Sequence, residues 1–127
     1  MTRQVVSTSQ APGAIGPYSQ GIIAGELVFT AGQGGVDPAT RQIVEGGITE
    51  QTRQTMRNLV AILEAAGTSM SRVVKTTVFM QDIKDFAAMN AVYAEFFPQD
   101  PPARTTVQVA ALPMGILVEI EAIAVKG

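Results

Sequence analysis

Residues Ile116 to Val125 read Ile-Leu-Val-Glu-Ile-Glu-Ala-Ile-Ala-Val and are the most strand-like run of the chain. Successive side chains of a strand point to opposite faces, so Ile116, Val118, Ile120, Ala122 and Ala124 form one unbroken apolar face. That face must lie against a core. The opposite face carries Leu117, Glu119, Glu121, Ile123 and Val125, which sets two carboxylates roughly 7 Å apart among aliphatic neighbours. Like charges on a half-buried face lean to water, pair with a cation, or serve as acid–base groups with perturbed pKa values. The spacing resembles that of paired glycosidase carboxylates, but a chain with two tyrosines and no tryptophan offers little sugar platform.

A second strand is announced by Pro101-Pro102-Ala103-Arg104-Thr105-Thr106-Val107-Gln108-Val109. Proline cannot donate to a central ladder, so the strand starts just after Pro102, with Arg104 at its mouth. Alternation puts Arg104, Thr106 and Gln108 on one side and Thr105, Val107 and Val109 on the other. The stretch alone leaves two readings of Arg104: a solvated residue of an edge strand, or a cation held at a defined place.

The remaining elements follow from periodicity and turn residues. Arg3 to Ser7 fits a short edge strand, and Ala11 to Pro17 is a proline- and glycine-rich loop that leads directly to Tyr18. Gly21 to Ile23 and Leu27 to Ala31 read as a hairpin turning at Ala24-Gly25-Glu26. The group Gly32-Gln33-Gly34-Gly35 follows a strand, as a phosphate loop would, but no Gly-Lys-Ser/Thr follows and Val36-Asp37-Pro38 enters a turn. Tight turns needing positive φ account for these glycines better than backbone contact with a ligand does. Thr52, Met56, Leu59, Val60 and Leu63 share a 3.6-residue period within a helix over Ile48 to Ala66, terminated by Gly67. Val73 to Met80 is a strand, with Val74, Thr76, Val78 and Met80 on one side and Val73, Lys75, Thr77 and Phe79 on the other. A second helix over Ile83 to Phe97 carries a stripe of Phe86, Met89, Asn90, Tyr93 and Phe97. Asn90 among large apolar neighbours needs hydrogen-bond partners whether it is structural or functional.

The order is therefore β-ββ-α-β-α-β-β, an α+β chain whose two helices cover one face of a mixed sheet. Nothing local covers the other face. The 127 residues suit one domain, spanning 1–127. Only 16% are charged while 46% are hydrophobic, so apolar surface is expected to meet another subunit. A net charge of −2 without a basic cluster argues against a nucleic-acid footprint. Cysteine and histidine are both absent, which excludes a disulfide, a thiolate nucleophile, a Cys/His zinc site and a histidine base. Acid–base work falls to carboxylates, tyrosine, lysine, backbone or water. With neither a basic-then-apolar leader nor a run long enough to span a bilayer, a cytoplasmic protein without membrane contact is expected.

Six dispersed stretches then stand in a recognisable order: Ala14-Ile15-Gly16-Pro17-Tyr18-Ser19-Gln20, Thr30-Ala31-Gly32-Gln33, Val74-Lys75-Thr76-Thr77-Val78-Phe79, Asn90-Ala91-Val92-Tyr93 with Phe96-Phe97, Pro102-Ala103-Arg104-Thr105, and Val118-Glu119-Ile120-Glu121-Ala122-Ile123-Ala124. Together they resemble the reactive intermediate deaminase family, also called Rid or YjgF, over nearly the whole chain. The resemblance implies a chorismate-mutase-like fold assembled as a homotrimeric barrel, with ligand sites between subunits. It also implies hydrolysis of 2-imino acids and their enamine tautomers, such as 2-iminobutanoate and 2-iminopropanoate, to 2-oxo acids and ammonia, with no cofactor and no metal. The substrates would come from pyridoxal-phosphate dehydratases, coupled in function without necessary physical contact.

Carried over by position, Arg104 would grip the substrate carboxylate and Glu119 would position or activate water, these two being the catalytic pair. Tyr18, Asn90 and the backbone at Ala31 and Gly32 would shape the cleft, with the Thr106 carbonyl facing it. Glu121 receives no role. This chain departs from many members in carrying Ala31 in place of serine and Thr106 in place of cysteine, and Gly34-Gly35 stands where some relatives have bulkier residues. An iminium carbon is already electrophilic, so positioning and electrostatics suffice without a strong nucleophile. Two other functions compete: a non-catalytic sensor that binds 2-oxo or amino acids through Arg104, and a ribonuclease or translation inhibitor, which the acidic balance and the missing histidine disfavour.

Overall fold

The computed structural model describes residues 2–127, and in it six strands form a mixed sheet. They are β1 (Arg3–Val6), β2 (Gly21–Ala24), β3 (Leu27–Thr30), β4 (Val73–Met80), β5 (Ala103–Gln108) and β6 (Val118–Val125), with helices α1 (Gly47–Ala65) and α2 (Phe86–Glu95). The spatial order is β1-β2-β3-β6-β4-β5. Every pairing is antiparallel except β4 with β5. A parallel neighbour requires a crossover, and α2 supplies it between those two strands.

β6 sits between β3 and β4, and its apolar row packs as the alternation requires: Ile116, Val118, Ile120, Ala122 and Ala124 are all buried. Against that row lies α1, which touches β3, β6 and α2. Met56, Leu59, Ile62 and Leu63 are wholly buried there, each worth about 1.5–3 kcal/mol of transfer free energy. The helix ends where the glycine signal places it, since Ala66 caps it and Gly67 adopts φ +83°.

The buried face of α1 differs from the expected stripe. Val60 is only half-buried, while Gln51, Thr55, Asn58 and Ile62 lie inside with Thr52. The polar members are inside because they hold a loop. Gln51 Oε1 accepts from the Leu117 amide at 2.8 Å, and Asn58 Nδ2 donates to the Gly34 and Val36 carbonyls at 3.2 and 2.9 Å. A buried amide satisfied in this way is retained at little cost, where an apolar residue would leave those backbone groups unpaired.

Expectations for two further elements, β4 and the second helix, are corrected. A bulge between Val73 and Lys75 flips the start of β4, so Val73 is buried and Val74 exposed, while Thr76, Val78 and Met80 keep the inner face. The second helix begins at Phe86, preceded by a 3₁₀ turn over Ile83–Asp85 in which Asp82 accepts from the Lys84 amide. Its buried residues are Met89, Val92 and Tyr93; Phe86 is exposed and Asn90 half-buried. On β5 it is the polar row, Arg104 and Thr106, that is half-buried toward the helices, whereas Thr105 and Val107 face outward.

The sheet face away from the helices is uncovered, as its apolar residues predict. Register places Phe29 beside Ile123, and Glu119 beside Phe79 and then Val107, on that face. Leu27, Phe29 and Val107 there are 38%, 38% and 40% exposed. Such a surface on a low-charge chain favours burial against another molecule. No helix among the described residues is long and apolar enough to cross a membrane.

Candidate functional site

The residues singled out in the sequence fall into two groups on opposite faces of the sheet. Glu119 pairs with Phe79 and points to the open face, while Arg104 pairs with Thr76, and Thr76 with Ala122, on the face covered by the helices. Within one chain the candidate acid–base residue and the candidate carboxylate grip are therefore not brought together.

Tyr18, Ala31, Gly32 and Glu119 line a cavity of about 440 Å³ together with Ile15, Ile116 and Arg41. Local structure explains why the chain comes together there. The segment after β3 is pinned to β6 by reciprocal bonds of 2.9 Å between the backbones of Gln33 and Ile120. This lays Gly32 directly under the neighbouring Glu119. A side chain at Gly32 would overlap the carboxylate, since an added Cβ falls 2.8 Å from Glu119 Cδ and 2.9 Å from Cγ. Glycine here serves close approach and not the turn geometry expected of this group, since Gly32, Gly34 and Gly35 have no positive φ and each lies against a neighbouring side chain or backbone.

On the far wall, Gln20 fixes the loop that carries Tyr18. Its Nε2 donates to the carbonyls of Thr8, Ala11 and Pro12, and its Oε1 accepts from the Thr8 amide at 2.7 Å. Tyr18 is about half exposed at the rim, and its hydroxyl accepts from the Ile15 amide at 3.2 Å. Arg41 enters from a hairpin closed by the Val36–Ile43 bridge, with φ +62°.

Burial raises the Glu119 pKa above its ordinary 4.5, and the neighbouring Glu121 carboxylate raises it further. No cation pairs with either glutamate: the ion pairs among the described residues are those of Arg53 with Glu50 and Glu95. Of the three readings left open by the sequence, Glu119 follows the perturbed one, while Glu121 is solvent-exposed.

Arg104 and Asn90 line a second cavity of about 370 Å³ with Tyr93, Ala94, Phe97, Pro101 and Pro102. The Arg104 guanidinium carbon lies 4.8 Å from the Tyr93 ring centroid and 5.5 Å from that of Phe86. It is thus neither free in solvent nor paired with a carboxylate among the described residues. Asn90 Oδ1 is buried without a partner. Thr106 lines neither cavity; it is half-buried on β5, the edge strand.

Sequence reasoning missed Arg41 at the first cavity and the aromatic contacts at the second. The 7-residue interval between Phe86 and Tyr93 puts both rings on one side of a helix. Only the parallel β4–β5 pairing decides which cation they meet. Among the described residues no group of three or more His, Cys, Asp or Glu is placed to hold a metal ion.

The family model described as Endoribonuclease L-PSP, the YjgF/Rid family, matches residues 8–126. The chain belongs to this family. It is 54% identical to a RutC family protein of Pyrococcus horikoshii over 98% of each chain. It is 47% identical to the human 2-iminobutanoate/2-iminopropanoate deaminase, across 100% of this chain and 93% of that one. Among solved structures, E. coli TdcF with bound serine superposes with a TM-score of 0.93 at 46% identity, covering 98% of this chain and 99% of the other. The α+β architecture is thus that of the YjgF/L-PSP structures.

Proposed function

We propose that this Rid-family chain is a hydrolytic deaminase of reactive 2-imino acids and their enamine tautomers, 2-iminobutanoate and 2-iminopropanoate among them, releasing 2-oxo acids and ammonia. The observation that carries the reading is Glu119: a carboxylate held over Gly32 in a largely apolar cavity, with its pKa raised by burial. A carboxylate in that state is a better base toward water than one in bulk solvent. Relatives about half identical over their full length bear the imine deaminase name, which supports the same class of chemistry.

In this reading Arg104 supplies the other half of the site. Its planar guanidinium has no carboxylate partner in the chain and matches a substrate carboxylate bidentately. Because Arg104 and Glu119 lie on opposite sheet faces, a working site joins the Glu119 cavity of one copy to the Arg104 cavity of another. A homotrimer closed through the open sheet face provides that. Tyr18 and the backbone at Ala31 and Gly32 then shape the cleft beside Glu119, and Asn90 shapes it beside Arg104. Water directed by Glu119 adds to the imine carbon while the fixed carboxylate holds that carbon in place, and collapse of the carbinolamine expels ammonia.

The test couples the purified protein to a threonine or serine dehydratase and follows decay of the imine and enamine signal. Equal decay with and without protein sinks the reading. Arg104→Ala is expected to remove most of the acceleration with the oligomer intact, and a fully active variant refutes the carboxylate grip. A non-catalytic 2-oxo acid sensor would bind 2-oxobutanoate through Arg104 yet leave the decay rate unchanged. A ribonuclease reading finds no support in a chain of net charge −2 without histidine.

A further inference from the structure

We propose that Tyr93 and Phe86 are positioning residues that hold the Arg104 guanidinium in the orientation from which it takes the substrate carboxylate; this rests on the reading of Arg104 given above. Three groups converge on one side of the sheet. Arg104 and Thr76 are directly paired across β4 and β5. Thr76, 1% exposed, shares a buried hydrogen bond of 2.7 Å with the Tyr93 hydroxyl. Tyr93, 5% exposed, lies with its ring 4.8 Å from the guanidinium carbon. The strand pair that carries the cation thus also carries the hydroxyl that fixes the ring beneath it. The ring also packs on Phe97, with centroids 4.8 Å apart at a tilt of 44°. Tyr93 therefore cannot swing away. Phe86, one helical face-length earlier on α2, adds a second ring 5.5 Å from the same carbon.

Two physical consequences follow. Cation–π contact with the two rings leaves N–H groups of the guanidinium available to a carboxylate. An arginine already held on two rings also loses little rotamer freedom when the ligand arrives. Without the rings it must be ordered at the moment of binding, and that lost preorganisation weakens carboxylate binding by about 10-fold. The chemical step at Glu119 does not involve the rings, so turnover at saturation is spared.

The experiment measures KM and kcat in the dehydratase-coupled assay, and the dissociation constant of 2-oxobutanoate by calorimetry, for wild type, Tyr93→Phe, Tyr93→Leu, Phe86→Leu and Arg104→Ala. Tyr93→Phe keeps the ring and should bind within about 3-fold of wild type. Tyr93→Leu should raise KM and the dissociation constant about 10-fold with kcat within a factor of about 2. Phe86 is 39% exposed, so Phe86→Leu leaves the core unharmed and should raise both constants about 3-fold; this variant decides the matter if Tyr93→Leu does not fold. Phe86→Leu and the Tyr93 variants all binding like wild type, with Arg104→Ala inactive, overturns the clamp and leaves the grip standing. A fully active Arg104→Ala overturns both. A fall in kcat at unchanged KM also refutes the clamp, since it assigns the rings to folding or chemistry instead of orientation.

Discussion

Replacing Gly32 by alanine tests the catalytic role proposed for Glu119 with one methyl group. The backbone at Gly32 does not need positive φ, so alanine adopts it without torsional strain. What the new Cβ meets is the end of the Glu119 side chain, at 2.8 Å from Cδ and 2.9 Å from Cγ, where ordinary contact begins at 3.4 Å. The carboxylate oxygen Oε2 lies closer still, so the carboxylate must retreat by about 1 Å to reach even the edge of that range. Misplacing a catalytic group by about 1 Å costs about 10²-fold in rate, equivalent to about 2.7 kcal/mol of transition-state stabilisation. Stability should hardly change, because the terminus of a flexible side chain moves and no backbone does. In the dehydratase-coupled assay, Gly32→Ala should lose about two orders of magnitude in kcat. Its melting temperature should stay within a few degrees of wild type. Full activity would refute the assignment of Glu119; an unfolded or dissociated variant would refute the claim that the contact is local.

Other perturbations address different links. The Glu119 pKa is raised by burial and then by Glu121, so activity should rise with pH through a limb above 4.5, and Glu121→Gln should shift that limb to lower pH by removing a like charge; an unmoved limb would contradict the coupling. The same shift has a stability consequence: the folded state holds the Glu119 proton more tightly than the unfolded chain, so stability falls as pH rises from the ordinary carboxylate value through the raised one. Glu119→Gln should therefore melt higher than wild type at neutral pH and alike in acid, and the reverse order would refute the direction. Phe29→Lys places a charge on the open sheet face and should dissociate the proposed homotrimer, as read by sedimentation against wild type; an oligomer that persists in the variant would show that this face is not the interface. Arg41 holds φ +62°, so Arg41→Gly should gain about 1 kcal/mol or less after the entropy of glycine is set against the relieved strain. Melting at equal protein concentration checks it.

Much of the architecture was legible because side-chain period and turn chemistry are local. The β6 alternation, the β3 hairpin and the Gly67 stop of α1 each depend on residues within a few positions, and each appears where its pattern puts it. The misreadings arise where a distant partner overrides the local pattern. Gln51 and Asn58 are polar yet buried because backbone groups at Leu117, Gly34 and Val36 need them. Val73 and Val74 exchange faces because one residue of β4 is left unpaired in the ladder. Phe86 opens α2 with its ring beside Arg104 instead of in the core.

For the site, the sequence by itself determined the inventory. It supplied a carboxylate on the outer row of the central strand, an arginine fixed just after two prolines, a glycine segment following a strand, and no histidine or cysteine to compete with them. Only the tertiary structure decided which of these meet. Hydrogen-bonded pairing of Gln33 with Ile120 brings Gly32 under Glu119 from about 85 residues away in the chain. The parity of the strand pairing sends Glu119 and Arg104 to opposite faces. Strand alternation fixes relative facing only within one strand, whereas the register between strands depends on every turn and bulge along the intervening chain. That register is a property of the packed sheet, and through it Glu119 is left to an open cavity and Arg104 to two aromatic rings.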